Sequence, residues 1–337
     1  MLTLATLRPL VSLATAILVM SAAAIAESSD VADQGDKPSG ASVQAAPLSI
    51  VVIPKGTTHV FWKSVEQGAR QAGKDLGVTV TWKGPLQEND RAQQIQIVQQ
   101  FVSQGVDGLV LAPLDHAALV RPVQAAGEKK IPVVIFDSAL DGTAGKDFVS
   151  FVATDSERAG RMGGEQLAGL MGNKGDVVLL RYMVGSASTD ARESGFLSAI
   201  KADTAMRVVV DNRYAGATTG EAKTAALNMI DQIKAAGGVF CPNESSTYGM
   251  LLALRQAGLV GKVKFVGFDA SPPLVEALRK GEIDALVVQD PKNMGYKAVE
   301  ALVKHIRGEQ VEPRIDTGAV IVTKENMDTP EVKRLLD

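Results

Sequence analysis

Lys55, His59, Phe61 and Trp62 fall together in the stretch LSIVVIPKGTTHVFWK, directly after the apolar run Leu48–Ile53. A Lys and a His can hydrogen-bond a polar ligand, while Phe and Trp pack on its apolar C–H face. Five more polar residues repeat the pattern further on. Asp137 follows PVVIF, Asp269 follows KFVGF, Asn243 follows VFCP, Gln289 ends DALVV, and Arg192 sits in DARESGF. A carboxylate can accept bonds from two adjacent hydroxyls, Arg donates a fork, and Asn or Gln can both donate and accept. Together they supply the chemistry for holding a polyhydroxylated molecule out of water. Singly, each has a plainer reading. An Asp after an apolar strand serves as well as a helix cap or turn residue. Phe61 and Trp62 fit the core side of a helix start, and Lys55 fits a solvated turn. His59 is open to both readings. His116 and His305 read as surface helix positions without a role, and Cys241 reads as a small buried hydrophobe beside the site.

What places these residues together is an alternation of strands and helices. Leu48–Ile53 is Val- and Ile-rich and reads as a strand buried on both faces. Phe61, Val65, Ala69, Ala72 and Leu76 then recur at helical spacing. Strands are expected at 78–82, 108–112, 132–136 and 148–153, with helices at 90–104 and 116–128 between them. The pattern restarts with helix 156–171 and strand 176–181, then helix 190–202 and strand 207–212. Helix 219–235, strand 238–241, helix 246–257 and strand 263–268 follow. Helix 272–280, strand 285–289, helix 294–307 and a strand pair near 315–322 close the chain. Two such sets predict an α/β protein of two doubly wound parallel-sheet lobes with a ligand cleft between them. The polar residues lie at, or just beyond, the carboxyl ends of strands, where such sheets bind ligands.

The 337 residues, 46% apolar and 22% charged, suffice for two cores. Residues 1–26 carry Arg8, an apolar stretch Leu10–Met20 and the small-residue site Ala24-Ile25-Ala26, which together read as a cleaved secretory signal peptide. A retained membrane anchor is the alternative. Removing that segment, whose single charge is Arg8, takes the formal charge from −3 to −4. No basic face is implied, so nucleic acid is not an expected partner. Residues 27–47, rich in Ser, Ala, Gly, Asp and Gln, read as a disordered leader. The single cysteine excludes an intramolecular disulfide and lies far from the cleavage site, so it is no lipid anchor there. The sequence has no G-x-G-x-x-G after its first strand, no phosphate loop, no G-x-S-x-G elbow and only three dispersed histidines. No enzyme, metal or cofactor is expected. The cleft is read as one that holds a molecule without changing it.

From Leu48 to about Asn326 the chain resembles the periplasmic sugar-binding proteins of bacterial ABC importers, of the ribose-binding type. FWKSVEQGA, GVDGLVLAPLD, IPVVIFDS, VATDSERAGR, ARESGF, VGFDASP and VVQDPKNMGYKAV match that family's motifs in order and spacing. The resemblance implies that Phe61 and Trp62 clamp a sugar ring and that Asp137 and Asp269 bind hydroxyls. It also implies that Arg192, Asn243 and Gln289 are ligands, with Phe268 lining the pocket. Crossings between lobes are implied near Ala153–Asp155, Gln289–Pro291 and Thr317–Ala319. That makes one lobe of 48–153 plus 290–317 and another of 154–289 plus 318–337, closing about the hinge. Ser138, His59 and Lys55 depart from the ribose pattern and look more like the branch of autoinducer-2 and rhamnose binders, where Asp190 matches a further ligand. Ala191 departs from that branch. The expected function is a monomeric periplasmic receptor that captures a pentose, deoxyhexose or related polyol and delivers it to an ABC permease in the inner membrane. The alternative is an autoinducer-2 or sugar receptor that reports to a chemoreceptor or sensor kinase. A transcriptional repressor of the same core would need an N-terminal helix-turn-helix, where a signal peptide and polar leader stand instead.

Overall fold

The computed structural model describes residues 46–202 and 205–336. The expected signal peptide, and all of the expected leader but Ala46 and Pro47, lie outside the described residues. Elements alternate as the hydrophobic periods require. The first set runs β1 (Ser49–Ile53), α1 (Val60–Leu76), β2 (Thr79–Trp82), α2 (Arg91–Gln104), β3 (Gly108–Leu111), α3 (Val120–Glu128), β4 (Val133–Phe136) and β5 (Ser150–Ala153). The chain then passes to α4 (Ser156–Leu170), β6 (Gly175–Arg181), α5 (Ala187–Ala202), β7 (Met206–Tyr214), α6 (Thr219–Leu227) and α7 (Ile230–Ala236). This second set continues with β8 (Gly237–Phe240), α8 (Glu244–Ala257), β9 (Lys264–Phe268), α9 (Pro272–Lys280) and β10 (Ala285–Gln289). Last come α10 (Pro291–Ile306), β11 (Arg314–Asp316), β12 (Ala319–Thr323) and α11 (Pro330–Leu336).

The strands form two six-stranded sheets, in the orders β2-β1-β3-β4-β5-β11 and β7-β6-β8-β9-β10-β12. All pairs are parallel except β10 with β12. In each sheet the winding reverses beside its first strand, at β1/β3 and at β6/β8, the switch points where open α/β sheets hold ligands. The alternation of side chains explains the layering. Ile50 and Val52 enter one core and Val51 and Ile53 the core on the other face; Val178 and Leu180, against Val177 and Leu179, do the same in the second sheet. Each such buried branched side chain contributes about 1.5–3 kcal/mol to folding.

The two-lobed α/β architecture is the one the pattern predicts, with local corrections. The C-terminal strands do not pair with each other: β11 joins β5 in the first sheet and β12 joins β10 in the second. Residues 116–119 form a turn closed by Asp115, which accepts from the N–H groups of Ala117 and Ala118, so α3 starts late. The segment 219–235 is two helices that part at Asn228-Met229. The start of α10 is at Pro291, where proline suits a first helical position. Among the described residues no helix is long and apolar enough to cross a membrane, and no cluster of His, Cys, Asp and Glu could hold a metal ion.

Candidate ligand-binding site

In the first lobe the site is built on the β1/β3 switch point. The buried Gln94 side chain holds it, donating to Pro54 O (3.0 Å) and Ala112 O (2.8 Å) and accepting from Leu114 N (2.8 Å). Lys55 follows Pro54 and is buried. Its Nζ lies 3.4 Å from Asp137 Oδ2 and donates to Ser186 Oγ (3.1 Å) and Ser188 Oγ (2.9 Å) of the second lobe. Phe61 and Trp62, in the first turn of α1, meet edge to face with ring centroids 5.0 Å apart. Trp62 also closes edge-on over Phe136. Glu88, in the loop after β2, ties these parts together. Its Oε1 accepts from Trp62 Nε1 (2.7 Å) and lies 2.8 Å from His59 Nδ1, and its Oε2 accepts from Tyr182 Oη (3.0 Å) across the cleft.

The second lobe presents Arg192 from α5. Its Nη1 donates to Pro242 O (3.0 Å) and Nη2 to Gln289 Oε1 (3.0 Å), and the guanidinium lies 4.1 Å over the Phe268 ring. Arg192 Nε is buried with no protein partner. Gln289 Nε2 donates to Asp269 Oδ1 (2.7 Å), and Asp269 Oδ2 accepts from Glu244 N (2.9 Å). Asp137 and Asp269 occupy equivalent places in the two lobes, each straight after a Phe that ends a strand. Both are held in the left-handed region, at φ 60° and 69°. Each donates its N–H to the next strand, to Val152 O (3.0 Å) and Val287 O (2.8 Å). A non-glycine residue in that region costs on the order of 1 kcal/mol or more, and such strain gathers at functional sites.

Fourteen residues from both lobes line one small pocket between them. They are Lys55, His59, Phe61, Trp62, Glu88, Asp137 and, opposite, Tyr182, Ser188, Thr189, Arg192, Asn243, Glu244, Asp269 and Gln289. Burial alone would push the His59 imidazole toward its neutral form, but the Glu88 carboxylate outweighs it and raises the pKa to about 9. Glu88 is pulled the other way. Burial favours its protonated form, yet His59, Lys55 and the Trp62 bond hold it down to about 2. Asp269 has no cation at contact distance, and burial lifts it to about 6 against the charge of Arg192 and the bond from Gln289. Near neutral pH the wall therefore carries a mixed set of charges, most of them internally paired, with spare acceptors on the aspartates and a spare donor on Arg192.

Residues 50–310 match the family described as periplasmic binding protein domain. The chain belongs to that family. Among curated relatives this periplasmic binding protein is similar to the D-allose-binding periplasmic protein of Escherichia coli (strain K12). They are 28% identical over 273 residues, covering 80% of this chain and 88% of the relative. It is likewise 28% identical to the ribose import binding protein of Salmonella typhimurium over 281 residues, 82% of this chain and 91% of that protein. Among solved structures it resembles a carbohydrate transporter solute binding protein from Agrobacterium radiobacter in complex with D-arabinose. That match has 35% identity and TM-score 0.83, and covers 87% of this chain and all of the other. An ABC transporter solute binding protein from Agrobacterium vitis with bound D-fucose matches at 37% identity and TM-score 0.83, over 86% of this chain and all of the other. The family is one of substrate-binding transport proteins, not of enzymes.

Of the residues singled out in the sequence, Lys55, His59, Phe61, Trp62, Asp137, Arg192, Asn243, Asp269 and Gln289 converge on the cavity of this periplasmic binding protein. Phe268 does not line it. Its ring is fully buried in the core beneath Arg192, because strand alternation sends it inward just before Asp269 turns. Asp190 is also absent from the wall: at 100° per residue it sits some 200° around α5 from Arg192. Arg192 itself lies in the second turn, since α5 begins at Ala187. Sequence reasoning missed Glu88, Tyr182, Ser188, Thr189 and Glu244. Tyr182 and Glu244 stand beside β6 and Asn243, where the strand-end rule would have found them. Glu88 lies well beyond β2, and only the fold of its loop, with Thr57 N bonded to Leu86 O, returns it to Gly56 and the site.

Proposed function

We propose that this chain is an exported, monomeric receptor that captures one neutral monosaccharide or polyol, such as a pentose or deoxyhexose, between its lobes. It then presents the closed form to the permease of an ABC importer. The observation that carries the reading is the wall itself. Two strained aspartates with spare acceptor capacity and an Arg with an unpartnered, buried Nε face an aromatic pair around one pocket between the lobes. Adjacent hydroxyls satisfy the aspartates, a ring or hydroxyl oxygen satisfies Arg192 Nε, and the C–H face of the ring covers Phe61. The relatives with bound D-arabinose and D-fucose support the same substrate class.

In this reading the hinge is formed by three passages of chain, 153–155, 289–291 and 317–319, and the mature protein begins at Glu27. A thermal-shift panel of pentoses, hexoses, deoxyhexoses, polyols and autoinducer-2 tests it. A ligand at a hundred times its Kd stabilises the folded protein by about 2.7 kcal/mol. One or a few neutral sugars shifting the melting temperature is the expected result. A panel in which only charged molecules, or none, have an effect overturns it.

A further inference from the structure

The helix that carries Phe61 and Trp62 is not capped by its own N-terminal residue. His59 occupies the N-cap position of α1 with extended backbone and gives no side-chain bond to the helix, and the first turn of α1 contains no acidic residue. The Nδ1 atom of His59 lies instead against Glu88. A helix start leaves several N–H groups without intrahelical partners and bears roughly half a positive charge. The acceptor comes from the other lobe. Glu244, first residue of α8, takes the Val60 N–H on Oε1 (3.4 Å) and the Phe61 N–H on Oε2 (3.0 Å). Its own N–H donates to Asp269 Oδ2. One residue thus joins the backbone under the aromatic platform of one lobe to the carboxylate of the other.

We infer that Glu244 is the positioning residue for lobe closure: it caps α1 in trans, and that cap exists only while the lobes are together. The inference rests on the receptor reading above and adds to it how closure is held. Opening the cleft strips α1 of its carboxylate cap and leaves Val60 and Phe61 N–H to water. Closing it restores the cap and fixes Phe61 and Asp269 against a ligand between them. The Glu88–Tyr182 and Lys55–Ser188 bonds also cross the cleft, but they run between side chains in the wall. Ser138 Oγ likewise accepts from the Ser188 N–H of α5 (3.1 Å), but among the described residues Glu244 is the carboxylate that takes N–H groups of a helix in the opposite lobe.

Two measurements on Glu244→Ala and Glu244→Gln test this. Hydrogen exchange is read with and without the panel's best sugar. Sugar should slow exchange at Val60 and Phe61 in the wild type and leave it fast in the Ala variant, with the interior of α1 alike in both; equal slowing in the two proteins overturns the cap. Stopped-flow binding of the panel's best sugar is the second. The Ala variant should release it about tenfold faster, with an association rate within twofold of wild type, a smaller loss in the Gln variant, and the ranking of sugars preserved. An unchanged release rate, or a reordered ranking that makes Glu244 a ligand-selecting contact, overturns the closure role. Failure of every sugar to bind the wild-type protein would instead sink the receptor reading, and with it the closure role.

Discussion

At the scale of single residues, the site balances strain against partners. Asp137 and Asp269 are held where side chains other than glycine rarely sit, and both keep acceptor capacity free. Arg192 spends two nitrogens on Pro242 and Gln289 and leaves Nε for something that is not protein. Removing either side chain strands buried partners. Asp137→Ala leaves Lys55 without its carboxylate, and Arg192→Ala leaves the Gln289 and Pro242 oxygens unbonded. Each variant should therefore weaken sugar binding by about 2–4 kcal/mol in calorimetric titration; retained affinity in both contradicts the assignment. Most of this was legible in the sequence because an Asp, Asn, Gln or Lys at a carboxyl strand end is exposed to one place only. What was not legible depends on rotation and loop path. Asp190 and Arg192 are two residues apart, yet only one faces the cavity. Phe268 supports Arg192 from below.

Elements set the position of those residues. The helices α4 and α5 touch through glycines: a Cβ at Gly160 would overlap the carbonyl of Arg192, and one at Gly195 that of Glu157. The first lobe repeats the device, with Gly68 against Lys292 and Gly295 against Val65 between α1 and α10. Because α5 carries Ser188, Thr189 and Arg192, its distance from α4 is also its distance from the ligand. Gly160→Ala should destabilise the protein by roughly 1–3 kcal/mol, as overpacking does, and weaken sugar binding as well. Urea denaturation and a titration on the same variant check both, and wild-type affinity in a destabilised variant would show that this helix contact does not set the site. Strand and helix periods revealed nearly every element in advance. They could not reveal which sheet a short strand joins, since β11 and β12 are three residues and five residues long and read alike by pattern. Pairing partners are chosen by the whole chain.

Over the whole molecule, the buried charges fix how stability follows pH. His59, raised from 6.5 to about 9, contributes fully below 6.5 and loses its contribution as pH climbs through 9. Glu88, lowered from 4.5 to about 2, contributes above 4.5 and loses it as pH falls toward 2. Asp269, raised by burial from 3.8 to about 6, holds a proton in the folded state that the unfolded chain releases, so stability falls between those values as pH rises. Glu193, buried beneath Tyr182 and paired with Arg181, is raised from 4.5 to about 7 and acts in the same direction. The melting temperature should therefore be highest at about pH 4 and decline toward pH 9, and Glu193→Gln should flatten the slope between about 4.5 and 7. A wild-type maximum near pH 8 would contradict this set of charges.

The central claim is that one sugar lies between the lobes against Phe61 and Trp62. The chain has two tryptophans, Trp62 in the site and Trp82 in β2. In a Trp82→Phe protein, the emission reports on the site alone. Titration with the panel's best sugar should shift that emission along a saturable curve with one ligand per chain, at the affinity found by calorimetry. Calorimetric binding of the sugar with no change in Trp62 emission, or no sugar that moves it, would contradict the account.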